Sequence, residues 1–220
     1  MQETPLSPSS ILLNASQPLP WIALLGLDGS GKSSVLEMLQ QRLAPLTITV
    51  LHRRPGIVYP IVRPGSPAAG ILHYAKPSHG RVKSVVKLMA MVLDWQVGYW
   101  RTVRPARSRG DLVITDRHAL LDLIADPLRY RYGGPIDLIR WVSRLAPNPT
   151  FIFLLDAPVP VLRERKQELS VERAETLRTA YLQLLRTLPN GRVINAAQPV
   201  NRVVSDILSH LILLMEESYV

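Results

Sequence analysis

Residues Trp21–Ser34 read WIALLGLDGSGKSS. The apolar run WIALLGL ends in a glycine loop, which suits a strand buried on both faces. Gly26 and Gly31-Lys32-Ser33 then fit G-x-x-x-x-G-K-[ST] without a gap. Glycines let successive backbone N–H groups turn inward, where they can cradle phosphate oxygens. Val35, Leu36, Leu39 and Leu43 recur at helical spacing until Pro45 stops the pattern. The loop therefore opens a helix, whose N-terminus adds partial positive charge. Lys32 is expected to reach the β- and γ-phosphates of a nucleotide, and the Ser33 hydroxyl to ligate Mg²⁺. A glycine turn matching by chance would lack this strand–loop–helix setting. Gly26, Asp28, Gly29, Ser30, Gly31, Lys32, Ser33 and Ser34 are accordingly the expected ATP-binding residues.

Working outward, the chain alternates strands with helices. LTITVLH (46–52) is rich in β-branched residues and predicts a second strand. Residues 53–80 hold many Pro and Gly and read as a long connection. Residues 82–104 predict one long helix, with Val86, Met89, Leu93 and Val97 as an apolar stripe. LVITD (112–116) and TFIFLLD (150–156) are buried strands that each end in Asp. One or two helices lie between them, interrupted by YGGP (132–135). A basic helix near 159–168 and a second over 171–188 follow, the latter with Leu177, Tyr181, Leu184 and Leu188 on one face. RVINA (192–196) is a fifth strand, and residues 200–215 a closing amphipathic helix. This order implies an α/β domain with a five-stranded, mainly parallel sheet and helices on both faces. Ligands of such sheets collect at the carboxyl ends of the strands. The glycine loop, Arg53, Asp116 and Asp156 all fall there.

Composition narrows the class. The 220 residues include 26 Lys and Arg against 17 Asp and Glu, a formal charge of +9 that favours phosphorylated or polyanionic partners. Without cysteine there is no disulfide or thiolate chemistry. No apolar stretch is long enough to span a membrane, and the first residues lack a basic n-region before ILL (11–13), so a cytoplasmic protein is expected. A flexible lead-in over 1–19 and one domain over 20–220 are the expected organisation. The basic run RTVRPARSR (101–109) has no interleaved aromatics, and nucleic-acid binding ranks last.

These segments together resemble the thymidylate kinase family. GLDGSGKSS (26–34) looks like its G-x-D-G-x-G-K-[ST]. RRPG (53–56) stands where the family has R-E-P-G. RPARSRGDLVITDRH (104–118) is similar to its stretch ending in D-R-[YH]. FLLDAPVPVLRERK (153–166) and VINAAQP (193–199) resemble its fourth strand with lid helix and its final strand with adenine-side loop. The resemblance implies a three-layer P-loop kinase fold and transfer of the γ-phosphoryl of ATP, with Mg²⁺, to a nucleoside monophosphate-type acceptor. It also implies roles. Asp28 would contact the acceptor's sugar or help hold the acceptor, and Arg53 would bind the acceptor phosphate. Asp116 would support Mg²⁺ and acceptor positioning, and Arg117 would bridge acceptor and transferring phosphates. No arginine lies between Asp28 and Lys32, so the catalytic arginine would come from a lid near 159–172, with Arg163 and Arg165 as candidates. A homodimer through the long helix is implied as well.

The acceptor half departs from that pattern. Asp94-Trp95-Gln96 stands where the family has D-R-A, and an indole cannot replace a bidentate guanidinium. Arg54 replaces the Glu of R-E-P-G. ALLDLIADPLRYRYGGP (119–135) replaces a stretch usually small and hydroxyl-rich. Trp95 and Tyr99, four apart on one helix face, could stack on a base or sugar, or could face the core. Arg129 and Arg131 could clamp an acceptor phosphate, or could be basic residues at a helix end. Asp156 could be a ligand or a helix cap. His118 could serve as a base only for a hydroxyl acceptor. Two alternatives stay open: a kinase for a sugar or other small metabolite, and a nucleotide-binding regulatory protein that transfers nothing.

Overall fold

The computed structural model describes residues 18–52 and 77–217, of which 214–217 as backbone only. Five strands form one sheet: β1 (Trp21–Leu25), β2 (Ile48–His52), β3 (Leu112–Asp116), β4 (Phe151–Asp156) and β5 (Gly191–Asn195). Their order is β2-β3-β1-β4-β5, and every pairing is parallel. Leu24 lies opposite Asp116 and His52 opposite Asp116, so the β1 loop and the ends of β2 and β3 share one edge. Asp156 pairs with Asn195 at the same edge.

Burial explains the strand sequences. All five residues of β1 are buried, and β3 and β4 expose only their terminal Asp. Successive side chains point to opposite faces. Leu112 and Ile114 join one core, while Val113 joins the other. The first core is closed by Val35 and Leu39 of α1 (Lys32–Arg42), Leu177 and Tyr181 of α7 (Val171–Arg186), and Val204 and Ile207 of α8 (Val200–Glu217). The second is closed by Leu88, Met91 and Trp95 of α2 (Arg81–Gly98), Leu120 and Leu123 of α4 (Ala119–Ala125), and Ile139 of α5 (Ile136–Ser143). A helical layer on each face is thus what the strand composition demanded. Among the described residues no helix is long and apolar enough to cross a membrane.

Three details differ from the sequence reading. The long helix is interrupted: a π-helical turn, Tyr99–Val103, separates α2 from α3 (Arg104–Ser108). Arg104 N–H donates to Tyr99 O, five residues back. Pro105 has no N–H and its ring crowds the preceding turn, so a widened turn relieves the clash. The extra residue re-phases the core face, which runs Ser84, Leu88, Met91, Trp95, Gly98 and then steps five to Val103. Second, the stripe Val86, Met89, Leu93 and Val97 faces outward. The helix is apolar on two sides, and periodicity alone cannot say which one the sheet takes. Third, the core begins at Leu19, inside the expected lead-in: it is buried, and its carbonyl accepts from Arg107 Nε. The rest of that lead-in, residues 1–17, lies outside the described residues.

Candidate active site

The glycine loop (residues 26–31) runs from β1 into α1, as its motif requires. Gly26 and Gly29 need to be glycine for two reasons. Their φ values, 146° and 88°, disfavour a side chain. A Cβ at Gly29 would also lie 2.4 Å from Leu162 O, and one at Gly26 2.6 Å from Ser30 Oγ. Lys32 Nζ curls back over the loop and donates to Gly26 O (2.9 Å), Leu27 O (2.8 Å) and Ser30 Oγ (3.1 Å). Burial, then the neighbouring Arg117, bring its ammonium down to a pKa of about 7. Ser33 and Ser34 are exposed at the start of α1.

β3 delivers Asp116 and Arg117 beside this loop. Arg117 has a left-handed backbone (φ 74°), a conformation that costs a non-glycine residue roughly 1–3 kcal/mol. Its N–H still donates to Leu24 O, which fixes the turn. The turn sends the side chain back toward the loop, where Nη1 donates to Gly26 O (3.3 Å) and Nη2 to Asp28 Oδ1. Burial opposes ionisation of Asp28, but Arg117, Lys32 and Arg129 outweigh it and hold the carboxyl well below the usual range. Burial likewise opposes the charge of Arg117, and Asp28 with Asp122 overcome it, raising its pKa.

Arg129 enters from the turn after α4, with Nη1 4.0 Å from Asp28 Oδ2. Arg131 does not converge. Its backbone is left-handed (φ 53°) and its Nε donates to Pro77 O, tying the turn to residues ahead of α2. Arg53, the expected acceptor-phosphate ligand, lies outside the described residues, as does most of the 53–80 connection.

Asp116 sits at the strand edge with Oδ1 buried and without a hydrogen-bond partner among the described residues. Its Oδ2 faces His52 Nδ1 at 3.4 Å. An orphaned carboxylate oxygen at the strand edge beside the glycine loop is a hard oxygen donor of the kind Mg²⁺ takes. No cluster of three or more His, Cys, Asp or Glu could hold a metal among the described residues. An ion here would therefore complete its shell with phosphate oxygens and water, the habit of Mg²⁺ at nucleotide sites.

Helix α6 (Val159–Arg165), in the segment expected to form a lid, lies against the loop through the Leu162–Gly29 approach. Its two arginines diverge. Arg163 lines a small cavity with Asp28, Leu162 and Glu168, its Nε buried and without a hydrogen bond among the described residues. Arg165 turns away and donates from Nη1 to Ala196 O, 2.9 Å, in the loop after β5.

Several expected contacts are placed elsewhere. Trp95 is fully buried, stacked on Trp21 at 6.0 Å, with Nε1 donating to Pro147 O (2.9 Å). No ligand can stack on that ring while the core is closed, so Trp95 is a wall and not an acceptor contact. Tyr99 is partly buried on the same cluster, 5.9 Å from Trp21. His118 is fully buried and accepts at Nδ1 from Leu121 N–H (3.4 Å), capping α4; burial pushes its pKa down to about 3. It cannot be a working base. Asp156 is neither cap nor ligand: Arg178 of α7 grips both its oxygens at 2.8 Å. Sequence reading also missed Asp122. It is buried and accepts from Tyr181 Oη at 2.8 Å, 59 residues away.

A family model described as thymidylate kinase matches residues 25–207. Among curated proteins, the chain is similar to a probable thymidylate kinase of Pyrobaculum calidifontis, 25% identical over 86% of this chain and 94% of the relative. It is also similar to a probable thymidylate kinase of Thermococcus kodakarensis, at 27% over 90% and 99% of the two chains. A thymidylate kinase of Bifidobacterium longum is 29% identical, over 87% and 96%.

Proposed function

We infer the function of this chain from its family: it belongs to the thymidylate kinase family, and it is a phosphotransferase acting on a nucleoside monophosphate. The proposed donor is ATP with Mg²⁺ and the proposed acceptor is thymidylate. The observation that carries this is the convergence of Lys32, Arg117, Arg129 and Asp28 at the carboxyl edge of the sheet.

In the proposed mechanism the polyphosphate enters the glycine loop, and Lys32 leaves its three loop acceptors for phosphate oxygens. Arg117, already held at the loop, needs only to turn from Asp28 to bridge donor and acceptor phosphates. Asp28, so released, takes the acceptor sugar. Arg129 supplies acceptor-phosphate charge that Trp95 cannot. Ser33 and Asp116 would hold Mg²⁺, which neutralises charge on the transferring group. The acceptor is already a phosphate, so no base is needed, and positioning with charge neutralisation does the work. Arg163 is the proposed catalytic arginine, arriving on a lid that also excludes water. The partner surface proposed for a second copy of the chain is the exposed stripe Val82, Val86, Met89, Leu93, Val97 and Trp100.

The test is ADP release from ATP·Mg²⁺ with and without thymidylate, for the wild type and Lys32→Ala. Thymidylate should stimulate release at least tenfold, and Lys32→Ala should abolish it. ATP binding without stimulation by thymidylate would retire the acceptor assignment and direct the screen to sugars and other phosphorylated metabolites.

A further inference from the structure

In the mechanism above, Arg129 supplies charge to the acceptor phosphate once Asp28 has turned to the acceptor sugar. Its Nη1 lies 4.0 Å from Asp28 Oδ2, so that carboxylate is only a loose guide for it. The aim of Arg129 must come from the turn that carries it, residues 127–131, which belongs to no helix or strand. Ordering such a segment costs conformational entropy, and its anchors must offset that cost.

The far side of the turn is stitched to α2 and to the residues ahead of it. His79 N–H donates to Arg131 O at 2.8 Å, and Lys87 Nζ to Tyr130 O at 3.0 Å. The near side, at Arg129 itself, is held by Asp126. This residue ends α4, where its N–H donates to Asp122 O at 2.7 Å. Its side chain then starts the turn: Oδ1 accepts from Arg129 N–H at 3.3 Å. Short acidic side chains commonly bond the backbone just ahead in this way.

The same Oδ1 accepts from Arg173 Nη2 at 2.5 Å. The Asp126 side chain is only 3% exposed. A carboxylate so buried needs a charged partner that also hydrogen-bonds it, and Arg173 is both. Arg173 reaches it from the first turn of α7, 47 residues along the chain. Its own N–H donates to Ser170 Oγ at 3.3 Å, which caps that helix. Ser170 belongs to the segment expected to form a lid, 159–172. The segment that brings Arg163 and the turn that brings Arg129 therefore meet at one ion pair.

We propose that Asp126 and Arg173 are positioning residues: their buried ion pair fixes the carboxylate that holds Arg129 N–H, and so keeps Arg129 aimed at the acceptor phosphate after Asp28 has let go. Neither residue touches a substrate. The inference rests on the acceptor reading given above for its kinetic consequence, but its structural consequence stands without any ligand.

The experiment has one arm for each. Arg173→Met removes the cation and keeps an apolar stem. In thymidylate-dependent ADP release it should raise the thymidylate KM about fivefold and leave kcat and the ATP KM within about twofold, the mark of lost acceptor binding. Arg173→Lys returns a cation to the same place and should recover most of that loss. Asp126→Asn keeps an oxygen for Arg129 N–H without the charge. It should act in the same direction, and it stands in for Arg173→Met in both arms should that variant not fold. In an Arg129→Met background, Arg173→Met should change the thymidylate KM less than about twofold, because residues acting through one another are non-additive. An undiminished effect in that background would overturn the proposal. The second arm follows amide hydrogen exchange in ligand-free protein. Exchange of Arg129 N–H should quicken roughly tenfold in Arg173→Met, as expected of a local opening. That of Ala174 N–H, which donates to Ser170 O at 3.0 Å, should stay as in the wild type. Equal quickening at both would mean that the start of α7 has loosened and would overturn the proposal, as would unchanged exchange at Arg129. Should wild-type protein ignore thymidylate, the acceptor reading has failed and the exchange arm alone decides.

Discussion

Lys32 shows how one side chain can carry a pH signature of the glycine loop. A lysine with a folded pKa near 7, against its ordinary 10.5, penalises the folded state wherever the unfolded chain keeps its proton. That penalty is full below about pH 7 and is relieved as pH rises toward 10.5. Ligand-free stability should therefore gain from this residue between pH 7 and 9, read as the urea midpoint, and Lys32→Met should flatten the gain. The same physics gives a sign for binding. At pH 8 the empty loop holds a largely neutral amine, and polyphosphate restores its charge, so ATP binding should take up protons. Calorimetry in buffers of different ionisation enthalpy reads this directly. Proton release, or uptake that persists in Lys32→Met, would place the titrating group elsewhere. The motif made Lys32 legible in sequence, but its self-engagement with Gly26, Leu27 and Ser30 depends on how the loop curls back in three dimensions.

At the scale of elements, helix α6 separates two arginines that sequence left equivalent. Both lie on α6, two residues apart, and so face different ways by about 200°. Arg163 looks toward Asp28 and Arg165 toward Ala196. Loss of a transition-state donor typically costs roughly 10²–10³ in kcat. Arg163→Met should fall in that range with little change in ATP KM, whereas Arg165→Met should raise ATP KM several-fold and spare kcat. Steady-state kinetics on both variants decides it, and the reverse ranking would exchange their roles. Element order, parallel pairing and the strand-end carboxylates were readable because local runs of apolar and β-branched residues encode them. The π-turn was not, because it answers a steric demand of Pro105 together with the need to present Val103 to a distant core. Asp122 was invisible for a related reason. What makes it buried is Tyr181, brought over by the fold of a different helix. The indole at 95 was recognisable as a departure from the family pattern, and only packing showed that Trp21 and Pro147 complete its surroundings.

For the whole molecule, the long helix poses a question of exposed apolar surface. Val82, Val86, Met89, Leu93, Val97 and Trp100 recur every three or four residues along one side, with exposures from 41% to 79%. Scattered exposed apolar residues are ordinary, but a continuous stripe is a marker of an interaction surface. Trp141 and Leu145, on and just past the neighbouring α5, are also exposed, and Gln96 Nε2 ties the two elements by donating to Leu145 O. A helix side with exposed apolar residues recurring from Val82 to Val97 suits packing against an identical helix about a twofold axis, where each residue meets a copy of the same surface. Substituting Leu93, mid-stripe, by Glu would set two carboxylates near that axis without disturbing the core face, which runs through Leu88, Met91 and Trp95. Sedimentation velocity should show the wild type as a dimer of 24.6 kDa chains and Leu93→Glu as a monomer with an unchanged circular-dichroism spectrum. A wild-type monomer at micromolar concentration would refute the dimer. A dimer that survives Leu93→Glu would move the interface to another face. Lys32 finds its loop partners Gly26, Leu27 and Ser30 within its own chain, so the monomeric variant should still bind ATP, and any loss of turnover would report on how firmly α2 supports the acceptor side.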